Sequence, residues 1–306
     1  MHKKNVIIIL VFSFHLIFCT DGIPQFDEQK AFDYLEKQCE FGPRNPGSEG
    51  AKNCLEYMET ELAKYSDKVV RQPFQHFDKK SNKTYLMTNL IASFNSNETQ
   101  RVFLAAHWDT RHMADRDPDP KNRETPIIGA NDGASGVAVL LEIARNLSLS
   151  EPEIGVDLIL FDGEDFGEEG NLDEYFLGSR VFAQNARNYK PRFGILIDMI
   201  GDAQLSIPIE GFSQEFLPHV VSKVWSTAES LGEFAFERRL GSYINDDHKM
   251  LIEKGIPCID IIDFAYPDET HRYWHTIEDT PDKCSPESLG SVGRVLLNVI
   301  YNEKLN

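Results

Sequence analysis

The strongest constraint on the fold is a repeated alternation of short apolar runs with longer segments of helical periodicity. Four runs have the length and continuous hydrophobicity of buried central strands, at 102–106, 156–161, 193–197 and 257–262. Helical patterns alternate with these runs at 136–147, 178–185, 216–231, 247–254 and 286–301. This alternation predicts a mostly parallel sheet whose two faces are covered by helices.

The segment before these runs adds two helices and a pair of strands. Apolar residues recur at helical spacing over 26–39 and 48–64, and a turn-rich stretch separates the two patterns. Residues 69–77 and 85–94 alternate in the manner of antiparallel strands. The expected architecture is therefore an α/β fold, a three-layer α/β/α sandwich with a mixed, mostly parallel central sheet.

The charge and the cysteine content limit the partners and the chemistry. The formal net charge is −18, which argues against nucleic acid because phosphate binding requires clustered lysine and arginine. The chain has 5 cysteines, and none forms a Cys-x-x-Cys motif. A thiolate metal site is therefore not expected. In an exported chain Cys39 could pair with Cys54, although the sequence does not determine the connectivity.

The first residues match a signal peptide. Two lysines precede an apolar stretch at 6–18, which is too short to span a bilayer. The alternative is a buried strand or helix of the fold. We expect a signal peptide at 1–19 and a single catalytic domain at 20–306, with export to the periplasm or cell envelope of a bacterium or into a eukaryotic secretory pathway. Cys19 is a candidate lipid anchor, although the bulky Phe18 fits that signal imperfectly.

Acidic and imidazole side chains follow the predicted central strands. His107 follows the first run, Glu164 lies just after the second, and Asp198 follows the third. Ligand sites in open α/β sheets lie beyond these carboxyl ends. Each residue also has a structural explanation, such as a hydrogen-bonded histidine, a helix cap or a solvated turn. Together they indicate a catalytic metal site of imidazole and carboxylate ligands, because structural zinc usually takes clustered cysteines.

Five short motifs in order, at 106–109, 129–136, 161–165, 198–201 and 274–276, resemble the site of the zinc aminopeptidases. That resemblance implies two zinc ions and a general base. The bridging ligand would be Asp132, and the base would be Glu164. One ion would take His107 and Asp198, and the other would take Asp165 and His275.

Within that superfamily the chain is more similar to the glutaminyl cyclases. A tryptophan precedes the ligand histidine, as Trp274 does here, and residues 245–248 resemble the cyclase Asp-Asp-His segment that opens a helix. A Gly-x-Pro sequence at 255–257 then leads into the next strand. This resemblance implies one Zn²⁺ ion, a proton shuttle, a carboxylate network and a substrate pocket. The implied ligands are Asp132, Asp165 and His275, the catalytic acids are Glu164, Asp198 and Asp246, and the substrate-binding residues are Trp274, Asp260 and Tyr266.

The implied reaction is the cyclisation of an N-terminal glutamine, in a peptide or protein, to pyroglutamate with release of ammonia. Hydrolysis of N-terminal residues by a two-metal aminopeptidase is the alternative. A binding domain that has lost its metal is a third interpretation, and the full ligand set disfavours it. The cyclase interpretation predicts one metal ion and ammonia as a product, whereas the aminopeptidase interpretation predicts two metal ions and free amino acids.

Several positions depart from the pattern of the animal cyclases. Asp165 stands where they carry glutamate, so the ligand arm is shorter by one methylene. Asp260 stands where they carry a histidine, and Ala106 and Val137 replace a cysteine pair. The loop at 266–272 is longer than expected. These differences resemble bacterial cyclases of the same superfamily.

Overall fold

The structure is a computed structural model that describes residues 22–305. The predicted signal peptide at 1–19 and the candidate lipid anchor at Cys19 lie outside the described residues. Within the described range, no helix combines the length and the hydrophobicity that a membrane span requires.

One six-stranded sheet forms the centre of the molecule, with the strand order β1-β2-β4-β3-β5-β8. The pairs β1–β2 and β2–β4 are antiparallel, and β4–β3, β3–β5 and β5–β8 are parallel. The predicted antiparallel pair and the mixed, mostly parallel sheet are therefore confirmed. The six strands are β1 Lys68–Asp78, β2 Lys83–Phe94, β3 Arg101–His107, β4 Gly155–Phe161, β5 Gly194–Asp198 and β8 Cys258–Ile262.

Helices cover both faces of this sheet, as the alternation predicts. The helices are α1 Glu28–Glu40, α2 Glu49–Tyr65, α3 Ala134–Leu149, α4 Leu177–Asn185, α5 Gly211–Phe216, α6 Pro218–Leu231, α7 Asp247–Ile252 and α8 Pro286–Asn302. Side chains of α1, α2, α3, α6 and α8 pack in the larger hydrophobic core, and side chains of α4 and α7 pack in the smaller one.

The central strand β3 shows why its sequence is a continuous apolar run. Val102, Leu104 and Ala106 enter the larger core, whereas Phe103 and Ala105 enter the smaller core on the opposite face. Successive side chains of a strand point to opposite faces, so a strand covered on both sides needs an apolar residue at every position.

One predicted helix is divided in two. The segment predicted as a helix at 216–231 contains the end of α5 and all of α6, with Leu217 between them. Pro218 occupies the first turn of α6, where its missing N–H costs no hydrogen bond. A second, two-stranded sheet of β6 Ile207–Ile209 and β7 Phe236–Leu240 was not predicted, because its strands are short.

The described cysteines carry free thiols, including Cys39 and Cys54. The suggested pairing of these two residues is therefore not present in the structure. Cys54 is fully buried in the larger core, where a thiol packs as a small apolar group.

Candidate metal centre and active site

The sequence-predicted donors converge at one edge of the sheet. His107 ends β3 and Asp198 ends β5, while Glu164 and Asp165 lie in the turn after β4. Parallel strands present their carboxyl ends at the same edge, so these groups meet although they are far apart in sequence. A cavity of about 350 Å³ opens there. Its walls include Asp132, Glu164, Asp165, Asp198, Asp246, Trp274 and His275.

Asp132, Asp165 and His275 form a group that can hold a metal ion. One ligand atom of each lies within 4.8 Å of the others, and all three residues are buried. The Nε2 atom of His275 is 3.5 Å from Oδ1 of Asp165 and 3.7 Å from Oδ2 of Asp132. The buried Oδ2 atom of Asp165 has no hydrogen-bond partner within residues 22–305. An imidazole with two carboxylates, one of which keeps a buried oxygen unpaired, fits zinc.

A second group shares Asp132 and adds His107 and Asp198. The Nε2 atom of His107 lies 3.1 Å from Oδ1 of Asp132 and 3.2 Å from Oδ1 of Asp198. Ligand atoms of these three residues also lie within 4.8 Å of one another. The structure therefore brings together both donor sets predicted from the sequence.

The loop before α3 holds Asp132 in place. The backbone N–H groups of Asn131 and Asp132 donate to the carboxylate of Asp279 over 2.9 and 3.1 Å. Gly133 has a φ of 107°, and a Cβ there would lie 2.7 Å from the carbonyl oxygen of Asp109. Only glycine fits this crowded left-handed position, which explains the Asn-Asp-Gly motif.

Asp109 fixes the turn that carries Glu164 and Asp165. Its carboxylate accepts the backbone N–H of Glu164 at 3.0 Å and that of Asp165 at 3.2 Å. The sequence motif contained Asp109, but no role could be assigned to it, because its partners are more than 50 residues away.

Arg111 and Asp115 connect two of the candidate ligands. The fully buried guanidinium of Arg111 donates to Oδ1 of Asp165 at 2.7 Å and to both oxygens of Asp115 at 2.8 and 2.7 Å. Oδ1 of Asp115 lies 3.6 Å from Nδ1 of His275. Sequence reasoning missed both residues, because they lie in a loop, where an i, i+4 spacing does not by itself indicate an ion pair as it does on a helix.

Burial and electrostatic interactions shift the pKa values of the acidic side chains in the cavity. Burial, aided by the charges of Asp165 and Asp246, raises the pKa of Glu164 well above its usual range. Burial likewise raises the pKa of Asp165 to about 6. Burial alone would also raise the pKa of Asp132, but its hydrogen bond to His107 makes the net shift downward. Carboxyl groups crowded in this way form an environment that a cation would stabilise.

Two predicted substrate-binding residues lie behind the cavity wall. Tyr266 is fully buried, and its hydroxyl donates to Oδ1 of Asp279 over 2.9 Å. Asp260 is also fully buried, on β8, and neither residue lines the cavity. Their roles as substrate-binding residues stay predictions, and in this structure both side chains lie behind the cavity wall rather than on it. Tyr266 instead supports Asp279, which in turn holds the loop of Asp132.

Trp274 forms an apolar wall of the cavity beside the candidate ligand His275. Its ring lies 3.9 Å from the ring of His275, centroid to centroid, and 5.0 Å from that of Phe264. His275 itself has a φ of 56°, which a residue other than glycine rarely adopts. The left-handed backbone directs the imidazole towards Asp132 and Asp165 while the preceding indole stays on the wall.

Comparisons with known proteins agree with this geometry. The model of peptidase family M28 matches residues 89–300. A curated relative from Bos taurus, described as a glutaminyl-peptide cyclotransferase, is 24% identical over 241 residues, which are 68% of this chain and 64% of that protein. The chain therefore spans slightly less than two thirds of the length of this relative.

Solved bacterial structures are more similar. The glutaminyl cyclase of Tannerella forsythia is 39% identical with a TM-score of 0.88, over 92% of this chain and 100% of that chain. A Zn-dependent exopeptidase from Parabacteroides distasonis is 37% identical with a TM-score of 0.88, over the same shares of the two chains. These findings confirm the resemblance and the fold that the sequence predicts.

Proposed function

The chain belongs to peptidase family M28, and from this membership and the geometry of its cavity we propose that it cyclises N-terminal glutamine to pyroglutamate and releases ammonia. One observation carries the proposal. The walls of a single cavity combine the base Glu164, the paired acids Asp198 and Asp246, and Trp274 beside a candidate ligand. The solved structures of similar proteins that are named glutaminyl cyclases support it.

In this proposal Asp132, Asp165 and His275 would hold a single Zn²⁺ ion. When bound there, zinc supplies a Lewis acid that polarises the γ-carbonyl group of the substrate. Arg111 contacts Asp165, and Asp115 contacts His275. These contacts restrict the orientation of the two ligand side chains. The donor set also suits metals close to zinc.

The acids of the cavity move and hold protons. Glu164 takes a proton from the attacking α-amine and returns one to the departing nitrogen. Its raised pKa suits a group that must both accept and donate within one turnover. Asp198 accepts a hydrogen bond from the amine and so orients it towards the γ-carbonyl carbon. Ring closure then expels ammonia, and no water molecule is needed as nucleophile.

The apolar wall favours cyclisation over hydrolysis. Trp274, Phe264 and Ile262 line the cavity on the side of His275. We propose that the side chain of the substrate glutamine packs against this wall, which would keep water away from the γ-carbonyl group. The small volume, about 350 Å³, is in the range of pockets for small ligands.

We also propose a domain division and export for this protein. We place one zinc-dependent catalytic domain at 20–306, acting on peptides or proteins with N-terminal glutamine. The apolar stretch at 6–18 supports export, and we also propose Cys19 as the site of a lipid anchor.

The test uses the purified protein and a dipeptide that begins with glutamine. Ammonia and free amino acids are measured in the same reaction, and bound metal is counted by elemental analysis. Ammonia without free amino acids, and one zinc ion per chain, is the expected result. Free amino acids without ammonia, and two ions per chain, would instead identify an aminopeptidase that uses His107 and Asp198 as additional ligands.

A further inference from the structure

A second cavity adjoins the proposed active site. It has a volume of about 590 Å³, and four residues line both cavities, namely Tyr243, Ile244, Ile262 and Phe264. Tyr243 is 54% exposed, so the ridge between the two cavities is open to solvent. A peptide that leaves the first cavity can therefore cross this ridge into the second one.

The segment that carries Tyr243 leads from one cavity to the other. Residues 241–242 line the second cavity, Tyr243 and Ile244 line both, and residues 245–246 line the first. The two cavities are therefore continuous along one stretch of the chain.

Tyr243 is held in place although about half of it is exposed. Its ring packs edge-to-face against the ring of Phe212, with the centroids 4.9 Å apart. A Cβ atom on Gly211 would lie 2.6 Å from Cγ of Tyr243, so the ring rests directly on the backbone there. An aromatic ring fixed in this way is a preformed contact surface, because little conformational freedom is lost when a ligand packs against it.

The second cavity presents a further exposed apolar side chain. Leu240, at the end of β7, is 59% exposed and lines the second cavity but not the first. A leucine and a tyrosine that are both exposed in one concave surface suit an apolar side chain of a ligand.

Of the acidic and arginine side chains that line the second cavity, one has no partner. Glu210 and Asp263 are buried and accept hydrogen bonds from backbone N–H groups. The guanidinium group of Arg239 is paired with Glu237. Glu269 is exposed, and within residues 22–305 it has neither an ion pair nor a hydrogen bond. Its carboxylate is therefore the group that a charged ligand would meet.

The neighbours of Glu269 in the chain have other partners. Asp268 accepts the backbone N–H and the hydroxyl of Thr270 over 2.9 and 2.5 Å. The guanidinium group of Arg272 lies over the ring of Tyr273, 5.0 Å from its centroid. The formal net charge of the whole chain is −18. A positively charged side chain is therefore the complementary group for Glu269.

We propose that the second cavity binds the part of a peptide substrate that follows its first two residues, and that it prefers an apolar and a basic side chain there. The inference rests on the proposed function. Tyr243 and Leu240 form the apolar contact, and Glu269 pairs with the basic group. These contacts are remote from the reacting atoms and are the same before and during the reaction, so they lower KM and leave kcat unchanged.

The test measures kcat and KM for ammonia release from the dipeptide amide Gln-Ala and from four tetrapeptide amides. Two tetrapeptides carry Leu-Lys or Lys-Leu after Gln-Ala, and the other two carry glutamate in place of lysine. We expect the better lysine peptide to have a KM about 5-fold or more below that of the dipeptide amide, at a similar kcat. Glutamate in place of lysine should raise KM about 2–5-fold, the range for an exposed ion pair, and about 0.5 M salt should remove that difference. Equal KM values for the lysine and glutamate peptides would overturn the inference.

Two exposed residues that line only the second cavity provide the variants. Glu269→Lys should reverse the order of the lysine and glutamate peptides, whereas Glu36→Lys, the same change on an exposed position of α1, should not. Leu240→Ser should raise the KM of the lysine tetrapeptides about 3-fold, whereas Leu149→Ser, at a similarly exposed leucine, should not. An unchanged order in Glu269→Lys would refute the role of that carboxylate, and an unchanged KM in Leu240→Ser would refute the apolar contact.

The dipeptide amide separates this inference from the proposed function. The KM of each tetrapeptide is expressed relative to that of the dipeptide amide in the same variant, and a thermal melt checks that the variant is folded. If the unmodified protein releases no ammonia from any of these peptides, the proposed function fails, and this inference fails with it. If it cyclises the dipeptide amide and the four tetrapeptide amides with the same KM, only the role of the second cavity fails.

Discussion

Replacement of Glu164 by glutamine should abolish turnover while leaving zinc bound. This substitution should leave the local structure unchanged, because the turn that carries residue 164 is held through its backbone. The N–H groups of residues 164 and 165 both donate to Asp109, and glutamine keeps those bonds. Glutamine also has the same length as glutamate, so the neighbouring ligand Asp165 need not move.

The magnitude follows from the role of the base. Loss of a positioned general acid–base group costs about 10²–10⁴-fold in rate, which corresponds to about 3–5 kcal/mol of the activation free energy. Folding stability should not fall. Burial and neighbouring acids already raise the pKa of Glu164, so its ionised form is unfavourable in the folded protein. A neutral amide removes that penalty at neutral pH.

The assay measures ammonia release, bound zinc and the thermal melt of each variant. Glu169→Gln is the matched control, since Glu169 belongs to the same loop and the same cavity rim but its side chain is 68% exposed. We expect Glu169→Gln to stay within about 3-fold of the wild-type kcat. Near-normal activity of Glu164→Gln would refute the reasoning, and a zinc-free Glu164→Gln would show that residue 164 acts as a ligand.

Three further changes test the remaining parts of the site. His275→Ala removes an imidazole ligand and should lose zinc and activity together, and elemental analysis that still finds one zinc ion per chain would remove His275 from the ligand set. Trp274→Ala should lower kcat/KM at least 10-fold with zinc retained, because the apolar wall disappears; an unchanged kcat/KM would contradict a role for that wall. Asp115→Asn should weaken zinc about 10–100-fold, measured by competition with a chelator, since Asp115 supports both His275 and Arg111. Equal zinc affinity in that variant would show that the support is not needed.

The fold and the grouping of the candidate donor residues were largely predictable because they depend on local patterns. A strand buried on both faces needs an apolar residue at every position, and β3 and β4 can be recognised from that alone. The donors His107 and Asp198 end their strands, so the parallel sheet brings them to one edge. The Asn-Asp-Gly motif marks a turn in which Gly133 must have a positive φ.

The residues that support the donors were not predictable, because they act on partners remote in the chain. Asp279 binds the loop of Asp132 from 147 residues away, and Arg111 binds Asp165 from 54 residues away. The burial of Tyr266 and Asp260 could not be predicted from the sequence either. Resemblance placed both at the substrate, yet packing buries them behind the wall.

The sequence by itself determined the α/β architecture, the family and the candidate donor residues, because periodicity, strand-end placement and short motifs are local properties of the chain. Only the tertiary structure decided which charges face one another. A buried charge needs a partner within a few ångströms, and that requirement is met by side chains from different elements. The contacts of Arg111 with Asp165 and Asp115 are of this kind.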